Sequence, residues 1–198
     1  MWSRGFLTLM QCWRQLRQCT HRPRGFPLRA LRWVVWLALR GLERLPWTAT
    51  YRLADGLGEF FFWAYPRYRR IALKNLEQAF GDVCPEAERW RLARRTFRNL
   101  MRALLEFLKT PQLGPEGLRE KVALEGEEHI RRAYQEGKGI IFVTGHLGNW
   151  EWLGSRVAQE YPLSVVAREQ DDPKLEEWVR QLRERSGLRV LSRSEVGR

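Results

Sequence analysis

Short apolar runs alternate with amphipathic stretches in the second half of the chain. Lys121 to Glu125 reads as a short strand, and Glu127 to Glu136 as a helix ended by Gly137. A strand over 139–145, a helix over 149–159, a strand over 163–167 and a helix over 173–186 follow. Pro173 opens that helix after Asp171-Asp172, and Leu188 to Leu191 makes a last strand. This βαβαβ order predicts an α/β fold with a parallel, right-handed sheet.

The first half has helical spacing instead. Trp90, Ala93, Phe97, Leu100, Met101, Leu104 and Leu108 recur as one stripe, which predicts a helix over 86–109. Pro85 stands at its start and Pro111 just past its end. Arg91, Arg94, Arg95, Arg98 and Arg102 crowd a neighbouring face. That face reads either as solvated or as a docking patch for an acidic partner. Residues 28–46 mix Leu, Trp and Val with Arg29, Arg32, Arg40 and Arg44, the pattern of a helix lying in a membrane interface. The aromatic run Phe60 to Tyr65 precedes Pro66, Arg67, Arg69, Arg70 and Lys74, which again suits an anionic lipid surface. Core packing of the same aromatics is the alternative, and a tilted span including Arg40 stays open. Three sections result: a basic extension over 1–27, a membrane-associated helical section over 28–118, and an α/β domain from 119 onward.

Composition sharpens this picture. The formal net charge is +12 over 198 residues, which favours anionic partners. The first 42 residues hold eight Arg and no Asp or Glu, so an organelle transit peptide is a competing reading; no secretory-signal order is visible. Basic residues among ten Trp admit a nucleic-acid surface. No recognition module is readable, however, and the aromatics sit with aliphatic runs, so no nucleic-acid partner is expected. Cys12, Cys19 and Cys84 match no metal or redox spacing and read as reduced thiols.

Chemistry concentrates at one place. The predicted strand Ile140-Ile141-Phe142-Val143 delivers His146 to its carboxyl end, where open α/β sheets place ligands. Asn149 can cap the helix that follows, and Glu151 lies in its first turn. Imidazole and carboxylate, five residues apart across a strand-to-helix turn, are suited to act as base and orienting group. The competing reading is a loop histidine that caps or packs, with Glu151 favouring a helix N-terminus. Arg168 follows the strand Leu163-Ser164-Val165-Val166-Ala167 and should emerge at the same edge, where a fixed cation can bind phosphate or steady an oxyanion. His129 reads as an ordinary helix histidine.

These residues resemble a known family. Gly126-Glu127-Glu128-His129-Ile130, the stretch Gly137 to Gly145 and His146-Leu147-Gly148-Asn149-Trp150-Glu151 are similar to the late acyltransferases of lipid A biosynthesis, lysophospholipid acyltransferase-like proteins that add lauroyl or myristoyl chains. Val166-Ala167-Arg168, Asp172-Pro173, Arg183 to Gly187, Tyr51 to Gly58 and Asn75 to Phe80 fit as well. The resemblance implies a membrane-associated O-acyltransferase with His146 as general base and Glu151 as its orienting group. Arg168, Asn149 and Gly148 would stand against the substrate. The acyl donor would be a thioester on acyl carrier protein or coenzyme A. The acceptor would be a hydroxyl of an anionic lipid A precursor or related glycolipid or lysophospholipid. No metal or redox cofactor is implied, and the location would be the cytoplasmic face of the bacterial inner membrane. Family members are longer, so the chain reads as an amino-terminal fragment with its sheet cut short. An inactive or non-enzymatic membrane-surface fragment is the alternative.

Overall fold

The computed structural model describes residues 37–192. They form two compact units, one ending at Lys109 and the other starting at Thr110. The predicted interfacial helix over 28–46 lies partly outside the described residues; residues 37–44 are helical.

The first unit is built from α1 (Trp47–Ala64), α2 (Pro66–Phe80) and the first part of α3 (Glu86–Lys121). Proline sets the boundary between α1 and α2. Pro66 is the first residue of α2, and Tyr65 before it is held at φ −116° and ψ 74°, outside the helical region. α1 buries a stripe four residues apart: Thr50, Ala54, Gly58 and Phe62. Phe62 meets Trp90 and Phe97 of α3 edge-on, with ring centroids 5.8 and 5.4 Å away. The guanidinium of Arg69 stacks over Phe62, Trp63 and Trp90 at 5.1–5.7 Å.

The stripe brings the two backbones together. A Cβ at Gly58 would stand 2.5 Å from Arg98 Cα and 2.7 Å from Arg98 N. Beside that contact, carboxylates of α1 meet arginines of α3 in antiparallel order. Arg102 donates from Nε and Nη2 to Asp55, both at 2.6 Å. Arg94 donates to both oxygens of Glu59 at 2.8–3.3 Å, and Arg98 Nε donates to Oε1 at 2.5 Å. The Arg102 guanidinium holds the Asp55 carboxyl below its ordinary range, and Arg94 does the same for Glu59. Most of the basic stripe is therefore matched within the chain. Lys109 closes the unit, 2% exposed, donating to Leu45 O at 2.5 Å and Thr50 Oγ1 at 3.2 Å. Burial pushes its ammonium below the usual lysine range.

Helix α3 is longer than predicted. It continues through Pro111 and is interrupted only at Gly114, whose φ of 64° and ψ of 180° are not helical. Pro115 follows and disfavours the helical region at Gly114, which takes a positive-φ conformation open to glycine, and the helix restarts on a residue needing no N–H bond. The restarted turn reaches Lys121, and Val122 N donates to Leu118 O at 2.9 Å. The predicted strand Lys121 to Glu125 does not form among the described residues, because helical bonding consumes its first residues and 122–124 join no ladder there.

The second unit carries α4 (Glu127–Gln135), α5 (Trp150–Ala158), β1 (Ser164–Ala167), α6 (Pro173–Arg185) and β2 (Arg189–Ser192). β1 and β2 pair in parallel, with Ser164 opposite Arg189 and Ala167 opposite Ser192. One parallel crossover, β1–α6–β2, is thus present in a mostly helical structure, which is compatible with the α/β class. The larger βαβαβ sheet does not form among the described residues. Residues 139–145 join no ladder, and Ile141 and Val143 are 92% and 93% exposed. Their β-branched, apolar character suits a strand, but a strand exists only through ladder bonds, and the described residues offer it none.

Two glycines of α1 provide a test of the helix contact. Gly56 has open space around its Cβ position, whereas Gly58 does not. Gly56→Ala should stabilise the helical unit by up to about 1 kcal/mol through helix propensity. Gly58→Ala should destabilise it by about 1–3 kcal/mol through overpacking. Urea unfolding followed by the helical circular dichroism signal reads both; equal shifts of the two midpoints would contradict the close approach.

Candidate active site

Residues 139–149 are an irregular stretch leading into α5. His146 lies there, exposed, with its ring centroid 4.6 Å from that of Trp150 at an interplanar angle of 68°. The edge-to-face contact fixes the imidazole against the first residue of α5 while leaving it accessible. Gly148 has a φ of +56°, the left-handed conformation that lets the chain turn between His146 and the helix. Asn149 caps α5, its side chain accepting from Trp152 N at 3.0 Å. Trp152 anchors the helix behind the loop. It is buried, and its Nε1 donates to buried Thr110 Oγ1 at 2.8 Å.

Glu151 does not take the partner expected from spacing. Its carboxylate is held by Arg183 of α6: Nη2 donates to Oε1 at 2.6 Å, and Nε donates to Oε2 at 3.1 Å and to Oε1 at 3.3 Å. The side chains of Arg183 and Glu151 are 19% and 14% exposed. His146 and Glu151 therefore sit at the same helix start without a direct hydrogen bond, one against Trp150 and the other on Arg183. Arg183 is a residue that spacing did not single out. Its position in the last turn of α6 suggests only a favourable place for a cation near a helix C-terminus.

Arg168 follows β1 and is exposed, 3.6 Å from Asp171 in a pair whose side chains are 82% and 97% exposed. The edge it was expected to share with His146 is not formed, since 139–145 is not paired with β1. His129 is an exposed residue of α4, 3.7 Å from Glu128. Among the described residues, no group of three or more His, Cys, Asp and Glu converges on a metal position. No helix among them is long and apolar enough to cross a membrane.

The family described as bacterial lipid A biosynthesis acyltransferase matches residues 21–196. The chain belongs to that family. Among curated relatives, it is 27% identical over 168 residues to the lipid A biosynthesis lauroyltransferase of Escherichia coli (strain K12), covering 83% of this chain and 54% of the relative. The palmitoleoyltransferase of the same organism and the lipid A biosynthesis acyltransferase of Shigella flexneri match with the same identity and coverage. The chain spans about half the length of the curated relatives it matches. No solved structure shows a significant match.

The cap that sets the helix start can be removed alone. Asn149→Ala should lower the local stability of α5 by about 1 kcal/mol. Hydrogen exchange should show it as a roughly five-fold loss of protection at the Trp152 and Leu153 amides. Asn149→Ser should restore most of that protection, and an unchanged exchange rate in the alanine variant would rule out the cap.

Proposed function

We propose that the protein carrying this chain is a membrane-associated O-acyltransferase. It transfers a fatty acyl group from a thioester, on acyl carrier protein or coenzyme A, to a hydroxyl of a lipid A precursor or a related glycolipid or lysophospholipid. The observation that carries this reading is His146, exposed at the start of a capped helix in a chain of this family.

His146 acts as general base. Its neutral ring nitrogen takes the proton of the acceptor hydroxyl as that oxygen attacks the thioester carbon. A tetrahedral oxyanion forms, the C–S bond breaks, and the imidazolium returns the proton to the departing thiolate. Oxygen gains the acyl group, sulfur gains the proton, and His146 is regenerated. Glu151 supports the imidazolium with negative charge from the first turn of α5. Arg168 meets a phosphate of the acceptor or the developing oxyanion, where an exposed guanidinium can pair with two oxygens. Gly148 and Asn149 line the approach to His146, glycine because a side chain there would face both strain and substrate.

Membrane association is supported by the helical unit. Phe60 and Trp63 of α1, Tyr65 between the helices, and Tyr68 and Ile71 of α2 are exposed among Arg67, Arg70 and Lys74. Aromatic rings with cations beside them suit an anionic lipid surface, and we place the protein at the cytoplasmic face of a bacterial inner membrane.

The decisive assay is transfer of a radiolabelled acyl chain by the intact protein in membranes. Acyl carrier protein thioester and acyl-coenzyme A would be offered as donors, and a lipid A precursor and lysophospholipids as acceptors. His146→Ala should lose all measurable transfer while still sedimenting with the membranes. Undiminished transfer would sink the assignment. Binding to vesicles containing anionic lipid should weaken several-fold when Trp63 and Tyr68 are both changed to Ser, and should fall with salt.

A further inference from the structure

A groove along α3, about 350 Å³ in volume, is lined by Glu88, Arg91, Arg94, Arg95 and Arg98. The proposed chemistry makes no use of it. Glu59 of α1 holds two of these arginines in place. The Nε and Nη2 atoms of Arg94 and Arg98 lie 2.5–3.3 Å from its oxygens, and Nη1 of each makes no hydrogen bond among the described residues. A guanidinium carries five N–H donors, so both remain equipped to bind a second anion. Arg95 is exposed and has no ion-pair partner among the described residues. Arg91 reaches only Glu88, at 3.1 Å, and its side chain is 71% exposed, a pair too open to water to contribute much. Four guanidiniums thus stand against two carboxylates, on a concave surface that concentrates their field.

We propose that this groove binds the headgroup phosphate of an anionic bilayer lipid. Arg91 and Arg95 stand four residues apart, as do Arg94 and Arg98, a spacing that puts helix side chains about 5–6 Å from one another. A phosphate has enough oxygens to bridge two planar guanidiniums so spaced, each through paired N–H donors. Arg94 and Arg98 are already oriented by Glu59, so they lose little side-chain freedom on binding. The surroundings select a lipid rather than a free ion. Phe60 follows Glu59 directly and is 62% exposed. Trp63, one turn further, is 57% exposed and packs on Trp90, the residue before Arg91, with ring centroids 6.3 Å apart. Exposed rings beside a phosphate site match the layering of a membrane interface, where aromatic side chains sit at headgroup depth. The inference rests on the membrane association proposed above and is independent of the acyl-transfer assignment.

Vesicle binding by the intact protein tests the site. Wild type should bind phosphatidylcholine vesicles containing phosphatidylglycerol more tightly than phosphatidylcholine alone. Arg91→Gln combined with Arg95→Gln should weaken that binding about tenfold. Both side chains are exposed, so this double variant should keep the wild-type thermal midpoint. Arg132→Gln combined with Arg185→Gln removes the same charge from exposed positions outside the groove and should cost less than about threefold. On vesicles of equal surface charge carrying oleate in place of phosphatidylglycerol, the two double variants should bind alike. Equal losses on phosphatidylglycerol would reduce the groove to unspecific charge and overturn the proposal. Inorganic phosphate, exchanged for chloride at equal ionic strength, should not displace the protein; displacement seen in wild type and absent from the groove variant would assign the site to a free anion instead. Wild-type vesicle binding by the groove variant, with binding to acyl carrier protein lost, would make the groove a protein-docking surface. If wild type binds no anionic vesicle, the membrane reading fails and this site with it; if only the groove comparison fails, that reading stands.

Discussion

The contact between α1 and α3 at Gly58 and Arg98 governs the helical unit. Two helix backbones this close leave room for hydrogen and little else. The proximity is what lets Asp55 and Glu59, short acidic side chains flanking Gly58, reach Arg102, Arg98 and Arg94 one turn apart. The same stripe seats Phe62 between Trp90 and Phe97. A crossing set by a residue without a side chain therefore organises both the apolar and the charged parts of the unit.

The second unit uses a different economy. Among the described residues its sheet is a single parallel pair, so the position of the candidate site depends on helices and their ends. Trp152 ties α5 to Thr110, Arg183 ties it to α6, and Asn149 closes its first turn. His146 sits directly before these restraints, on a loop whose backbone is freer than theirs. The proposed transfer to a lipid hydroxyl would use such a combination: a fixed frame and a candidate base open to the incoming group.

Local pattern was a good guide wherever structure is made by neighbours in sequence. α5 and α6 begin where Asn149 and Pro173 place them, and β1 and β2 fall within a residue or so of the apolar runs that announced them. The pattern misled where bonds come from distant residues. Pro111 reads as a helix stop, yet α3 passes through it, because a proline costs one hydrogen bond and the surrounding turns continue. The runs at 121–125 and 139–145 have strand composition without strand bonding. The arginine stripe was open to two readings, and neither named the carboxylates of α1. Likewise the place of Glu151 was legible, and its partner was not. Periodicity says which face a side chain occupies; only the fold says what stands opposite.

Residues 139–145 carry a further consequence. An exposed, β-branched segment that joins no ladder among the described residues is a template onto which a like segment can add, one chain after another. Gly137-Lys138-Gly139 before it and Gly145 after it allow the backbone to reorient, and Lys138 before it is paired with Glu136 at 3.4 Å. Handled in water as 198 residues, the chain would carry a seed for self-assembly only a few residues from its candidate base. The stretch that makes the chemistry recognisable would then also set its shelf life in solution.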